Sequence, residues 1–168
     1  EDIWDVRLQP PQQITPRRRR LTVPERILHD GSVYKQLDDD AVRECCRRLS
    51  KQHVESVAIS LLFSFVNPAH EKRVAQIVAE VMPGAHISCS HQVLPRSPEY
   101  DRTSTTVVNA YVAPSVTAYL EGLVVRLEQA GYQNQLMVMQ ASGGVMTREY
   151  IKGSPVRVLA SGPAGGVI

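Results

Sequence analysis

The spacing of hydrophobic positions changes several times along this chain, and each change marks an element. Residues 21–27 alternate apolar and polar side chains, His29, Asp30 and Gly31 supply a turn, and residues 32–37 follow. That pattern predicts a β-hairpin. From Asp38 the period lengthens, with Ala41, Val42, Cys45, Cys46 and Leu49 recurring every three or four residues behind an aspartate suited to cap a helix. Residues 57–63 form a nearly continuous apolar run, as a strand covered on both faces does. Asn67 and Pro68 then open a second helix whose buried stripe is Val74, Ile77, Val78 and Val81, and Pro83 and Gly84 end it before a short strand over 85–90.

Residues 99–130 carry the longest helical pattern. Its broad apolar face is read as Val107, Val108, Tyr111, Val112, Val116, Tyr119, Leu120, Leu123, Val124 and Leu127, and Pro114 is expected to kink or interrupt it. Beyond Gly131, residues 135–140 read as a buried strand, 141–144 as a tight polar turn and 155–159 as another strand. Strands alternating with helices predict an α/β fold, a mixed sheet layered with helices. Residues before about Thr15 are rich in proline and glutamine and read as irregular, with Trp4 as their anchor against a core.

A chain of 168 residues can bury a sizeable core in one domain or two lobes. Its 43% hydrophobic and 21% charged residues exclude the disordered, fibrous and membrane classes. A net charge of +2 gives no case for nucleic acid, which needs clustered cations for several phosphate contacts. The one dense basic run, Arg17 to Arg20, reads as a solvated edge strand whose side chains alternate between faces.

Three cysteines, two of them adjacent, match neither a disulfide framework nor a zinc spacing and suit the reduced cytoplasm. A strand would turn His86 away from Cys89 and His91, leaving two donors together, so no metal site is expected there. No apolar run nears the roughly 20 residues a bilayer span needs, and no export signal opens the chain. The first residue is Glu1, and the chain reads as an internal piece of a longer protein, truncated at both ends.

Two glycine-rich bends and one polar stretch of helix could carry chemistry. Residues 161–167, Ser-Gly-Pro-Ala-Gly-Gly-Val, expose backbone N–H groups of the kind that bind anions at a helix start; the bland reading is a tight packing turn. The lysine of a Walker loop and the spaced glycines of a dinucleotide fingerprint are both missing. Ala141-Ser-Gly-Gly144 follows a strand, where open α/β sheets place ligand loops, and Ser142 lacks triad partners. Glu99, Asp101 and Arg102 stand at the start of the long helix, where Arg102 can reach Glu99. Thr103, Ser104, Thr105 and Thr106 form a dense hydroxyl run with Asn109 on the same side, either a structural hydrogen-bond network or the wall of a polar pocket.

Val93-Leu-Pro95, residues 99–112, Met139-Gln-Ala-Ser-Gly-Gly144 and residues 161–167 together resemble the hydantoinase A and oxoprolinase family. Val23-Pro-Glu-Arg-Ile27 and residues 62–71 are similar to it in the same order. The resemblance implies an actin-like, ribonuclease H-like ATPase architecture, with an N-terminal α/β region over 1–92 and the long helix and start of the ATPase domain over 93–168. It implies a cytoplasmic enzyme, in oxoprolinase members one of glutathione metabolism, that opens a cyclic amide such as a hydantoin or 5-oxoproline through a phosphorylated intermediate. ATP and Mg²⁺ belong to the complete enzyme and neither is expected in this piece, because both Asp-Gly-Gly-Thr phosphate loops of the family fall outside it. Glu99, Arg102, Thr105, Asn109, Ser142, Gly143, Gly144, Ser161, Gly162, Gly165 and Gly166 are the implied cleft candidates, and no catalytic residue is named. Copies of itself or a hydantoinase B-type subunit are the implied partners, with no nucleic acid and no membrane. Arg96-Ser-Pro98 replaces charged residues common in the family, so the ketone carboxylase subunits related to it stay open as a reading. A non-catalytic scaffold module is the reading from a different class.

Overall fold

The computed structural model describes residues 13–167, which leaves Trp4 outside the described residues. Strands β1 (Arg26–Ile27) and β2 (Val33–Lys35) pair antiparallel around the expected turn. Helix α1 (Asp39–Ser50) starts where Asp38 accepts the Ala41 N–H at 2.9 Å. Strand β3 (Ser56–Ile59), helix α2 (Ala69–Val81) and strand β4 (His86–Cys89) follow. The crossover through α2 makes β3 and β4 parallel, Ser56 opposite His86 and Ile59 opposite Cys89, as a strand-helix-strand unit requires. Asn67 caps α2 by accepting the Ala69 N–H at 3.1 Å.

A core of Val42, Cys46, Ile59, Val74, Ile77, Val78, Met82 and Cys89 fills the space between these elements. Ion pairs fasten its outside, Arg73 to Asp39 at 2.6 Å and Arg43 to Glu80 at 2.9 Å. A short helix α3 (Ser90–Val93) then leads to α4 (Glu99–Gln129), which at 31 residues is about 46 Å long. Pro114 lies inside α4 without interrupting it. The second unit hangs on the far half of this helix: strands β5 (Met137–Met139) and β6 (Val145–Thr147), helix α5 (Arg148–Gly153), a 3₁₀ turn at Pro155–Val158 and helix α6 (Ser161–Gly165). Its smaller core is Leu120, Met146 and Ile151.

The α/β class holds, but the single mixed sheet is replaced among the described residues by three separate two-stranded sheets. The expected strand at 155–159 is the 3₁₀ turn, because Pro155 has no N–H to give and the Val156 and Arg157 N–H groups are held by Asn109 Oδ1 and Ser154 O. The stripe of α4 is also shifted: Tyr111 and Tyr119 are 66% and 67% exposed, whereas Arg102, Thr106, Asn109, Ala110, Ala113 and Leu120 are buried. Residues 17–19 wind into a 3₁₀ turn rather than an edge strand, and Arg19 Nη2 donates to the Gln52 carbonyl at 3.3 Å. Among the described residues, no helix is long and apolar enough to cross a membrane.

Candidate functional site

The polar stretch of α4 resolves into internal struts. Arg102 is fully buried; it donates from Nη1 to the carbonyls of Arg96 and Ser97 at 3.0 and 3.3 Å and from Nη2 to the Leu61 carbonyl at 3.3 Å. Its guanidinium lies 5.2 Å from the centre of the Phe65 ring, within cation–π range. The expected pairing with Glu99 is therefore replaced by carbonyl bonds, and Glu99 points to solvent. Thr106 returns its hydroxyl to the Arg102 carbonyl at 2.7 Å, and Thr103 meets Ser60 at 2.7 Å. Thr105 is half-buried.

Asn109 joins the two units. Its Nδ2 donates to Ser88 Oγ in β4 at 3.0 Å, and its Oδ1 accepts the Val156 N–H of the 3₁₀ turn at 3.0 Å. The Arg157 carbonyl, one residue along that turn, accepts the Ala141 N–H at 2.8 Å and so fixes the first bend. There Gly143 and Gly144 both take left-handed backbone, φ 82° and 81°, which a side chain resists. Gly143 N–H closes the bend onto the Gln140 carbonyl at 3.1 Å, and Ser142 is exposed.

The second bend is α6 itself. Ala160 enters it through left-handed backbone at φ 60°, Ser161 is half-buried, and Gly162, Gly165 and Gly166 are exposed. Gly165 packs on Met139, whose Cγ lies 3.6 Å from where a Cβ would stand. Both bends are thus attached to the same end of β5, and Asn109 ties the turn between them to α4. Glu99 stands ten residues before Asn109, about 15 Å along the helix axis. The structure groups Asn109, residues 142–144 and residues 161–166, and it leaves Glu99 and Arg102 near the other end of the polar stretch.

Sequence reasoning missed Glu71. Fully buried in α2, it accepts from Leu61 N at 2.9 Å, Ser90 Oγ at 2.6 Å, His91 N at 3.0 Å and His91 Nδ1 at 2.7 Å. The signal was present: Glu71, Val74 and Val78 lie three and four residues apart on the buried stripe. Neighbouring Cys89 has its thiol pushed up to about 12, first by burial and then by the Glu71 charge.

Comparison with known proteins fixes the lineage. The family model described as hydantoinase/oxoprolinase N-terminal region matches residues 1–82, and the one described as hydantoinase/oxoprolinase matches residues 102–168. The chain belongs to the hydantoinase/oxoprolinase family. It is 35% identical over 161 residues to caprolactamase subunit alpha of Pseudomonas jessenii, covering 96% of this chain and 23% of that protein. To 5-oxoprolinase of Saccharomyces cerevisiae it is 32% identical over 136 residues, covering 81% of this chain and 10% of the relative. The crystal structure of the ATP-dependent caprolactamase from Pseudomonas jessenii superposes with a TM-score of 0.88 at 35% identity, over 96% of this chain and 23% of that one. Nucleotide-free acetone carboxylase superposes at 0.74 and 30% identity, over 86% and 21%. This member of the family spans 24% or less of the length of the curated relatives it matches first.

Proposed function

We propose that the chain forms part of an ATP-dependent enzyme that opens a cyclic amide, a hydantoin or 5-oxoproline, through a phosphorylated intermediate. The observation that carries this reading is the match to an ATP-dependent caprolactamase along 96% of the chain. The two bends support it: brought together at the end of β5, they offer the Ser142 and Ser161 hydroxyls and exposed glycine backbone to one edge of a phosphate. Neither bend contains an acidic side chain, so they suit the phosphates of ATP and leave Mg²⁺ to ligands elsewhere in the longer polypeptide. When bound, the Mg²⁺ nucleotide supplies the phosphoryl group that activates the amide oxygen. Residues 142–144 and 161–166 orient it, and Asn109 holds the turn that carries them. The architecture completed by the rest of such an enzyme is actin-like in this reading, and a second subunit of the hydantoinase B type completes the assembly.

A carboxylase subunit is the second reading, favoured by the superposition on acetone carboxylase. Phosphate release by the complete enzyme with Mg²⁺ and ATP separates them, measured with 5-oxoproline, hydantoin or caprolactam and, in parallel, with a ketone plus bicarbonate. ATP turnover that depends on a cyclic amide is the expected result. Turnover that depends on ketone and bicarbonate moves the assignment to the second reading, and no ATP turnover with any of them removes both.

A further inference from the structure

The carboxyl ends of β3 and β4 carry a second cluster that the proposed reaction does not use. A donor atom on each of Glu71, Cys89 and His91 lies within 4.8 Å of the others. Cys89 is 4% exposed, Glu71 is fully buried and the His91 side chain is nine-tenths buried. Three of the four bonds to Glu71 come from Leu61 N, Ser90 Oγ and His91 N, and these explain the carboxylate as a fastening for the loops. They do not explain the ring. Its Nδ1 is held by Glu71 at 2.7 Å, while its Nε2 is buried with no hydrogen-bond partner among the described residues. Orphaned buried nitrogens are costly and uncommon, and this one belongs to a ring clustered with a thiol.

We propose that Cys89 and His91, with Glu71 behind them, form a binding site for one thiophilic cation of the Zn²⁺ class. A metal-ligating histidine characteristically gives its other N–H to a carboxylate, which fixes its tautomer and orientation, and the Nδ1–Glu71 bond is already of that kind. The Nε2 lone pair then makes one bond to the cation and Cys89 Sγ the other. The thiol proton leaves to solvent and the imidazole stays neutral, its hydrogen on Nδ1. Thiolate and carboxylate together balance the dication, so the burial that opposes an ionised sulfur in the metal-free protein no longer does so. The remaining positions of a four-coordinate ion fall to water, because a carboxylate on Nδ1 stands across the ring from Nε2. Because a proton is displaced, binding tightens as pH rises. The inference is independent of the reaction proposed above.

The test is a titration of the metal-stripped chain with Co²⁺ as a coloured stand-in for Zn²⁺, followed by Zn²⁺ displacement. One ion per chain is expected, with a thiolate-to-cobalt charge-transfer band that disappears in Cys89→Ser and persists in Cys46→Ser, the other fully buried thiol. Glu71→Gln, which keeps an acceptor for the Nδ1 hydrogen, should weaken binding about 10- to 100-fold. A wild-type chain without the band, or a Cys89→Ser variant that keeps it, overturns the proposal. Should Cys89→Ser fail to fold, X-ray absorption of the unmutated zinc-loaded chain decides the matter, since a zinc shell without sulfur overturns it equally.

Discussion

Asn109 hydrogen-bonds to both units from within α4, and truncating it to alanine tests what that link contributes. The change removes two hydrogen bonds, to Ser88 Oγ and from Val156 N–H, each 3.0 Å long and each worth about 1 kcal/mol net. It also strands groups in a closed environment, because Ser88 is 3% exposed and Asn109 1%. A buried polar group left without a partner costs a further 1–3 kcal/mol or so. The expected loss is therefore about 3–5 kcal/mol, a large share of the roughly 5–15 kcal/mol that holds a domain folded. Urea unfolding followed by circular dichroism measures it. Ser88→Ala, which removes one bond and strands the Asn109 Nδ2 hydrogen, should cost about 2–4 kcal/mol, and a double-mutant cycle between the two should return a coupling of at least 0.5 kcal/mol or so, as residues in one network do. A loss below about 1 kcal/mol for Asn109→Ala, or additive effects in the cycle, refutes the strut. The carboxamide would then be free to serve as a pocket wall.

Two further predictions concern the bend and the buried thiol. Gly144→Ala should lose about 1–2 kcal/mol, because φ is 81° and the new Cβ meets only Gln140 Nε2 at 3.2 Å, a side-chain end that can move, so backbone strain sets the cost. Gly162→Ala, in helical backbone with open space around it, should change stability by less than about 1 kcal/mol and in the stabilising direction; thermal melting of the pair that ranks them the other way refutes the bend geometry. For Cys89 the folded thiol value is raised from 9.0 to about 12, so the unfolded chain ionises first: stability is intact below pH 9 and falls as pH climbs from 9 toward 12. At about 1.4 kcal/mol per pH unit, urea unfolding of the metal-free chain should show wild type losing about 2 kcal/mol more than Cys89→Ser between pH 9 and 10.5. Parallel pH profiles for the two would refute it.

What the sequence disclosed was local. Asp38 and Asn67 cap helices through bonds to residues three and two positions on, and the hairpin at 26–35 turns on Gly31, within reach of pattern reasoning. What it concealed was long-range. Arg102 looks, in a linear reading, like a partner for Glu99 one turn away; its true acceptors include a carbonyl 41 residues distant. The strand expected at 155–159 has suitable side chains, but Asn109, 47 residues away, takes the Val156 N–H that a ladder needs. In the same way Glu71 reads as a favourable first-turn acid, and nothing nearby in sequence reveals that His91, 20 residues on, closes over it.

The eleven candidate residues divide along the same line. Of the bend residues, Ser142, Gly144, Gly162, Gly165 and Gly166 are exposed and Gly143 and Ser161 half-buried, and composition pointed to the turn at 141–144, where glycine suits the left-handed backbone of 143 and 144. Asn109 was singled out with the hydroxyl run because polar groups on an apolar helix demand partners, and Arg102 as a charge one turn from Glu99; the demand for partners holds for both. Its two outcomes, network or pocket wall, could be separated only by coordinates that show where the partners stand. They stand inside: carbonyls of Leu61, Arg96 and Ser97 for one, Ser88 and Val156 for the other. Asn109, on the polar face of α4, therefore reaches the first bend only through the 3₁₀ turn it holds. Substituting it should alter the position of the bend before it alters the chemistry offered there.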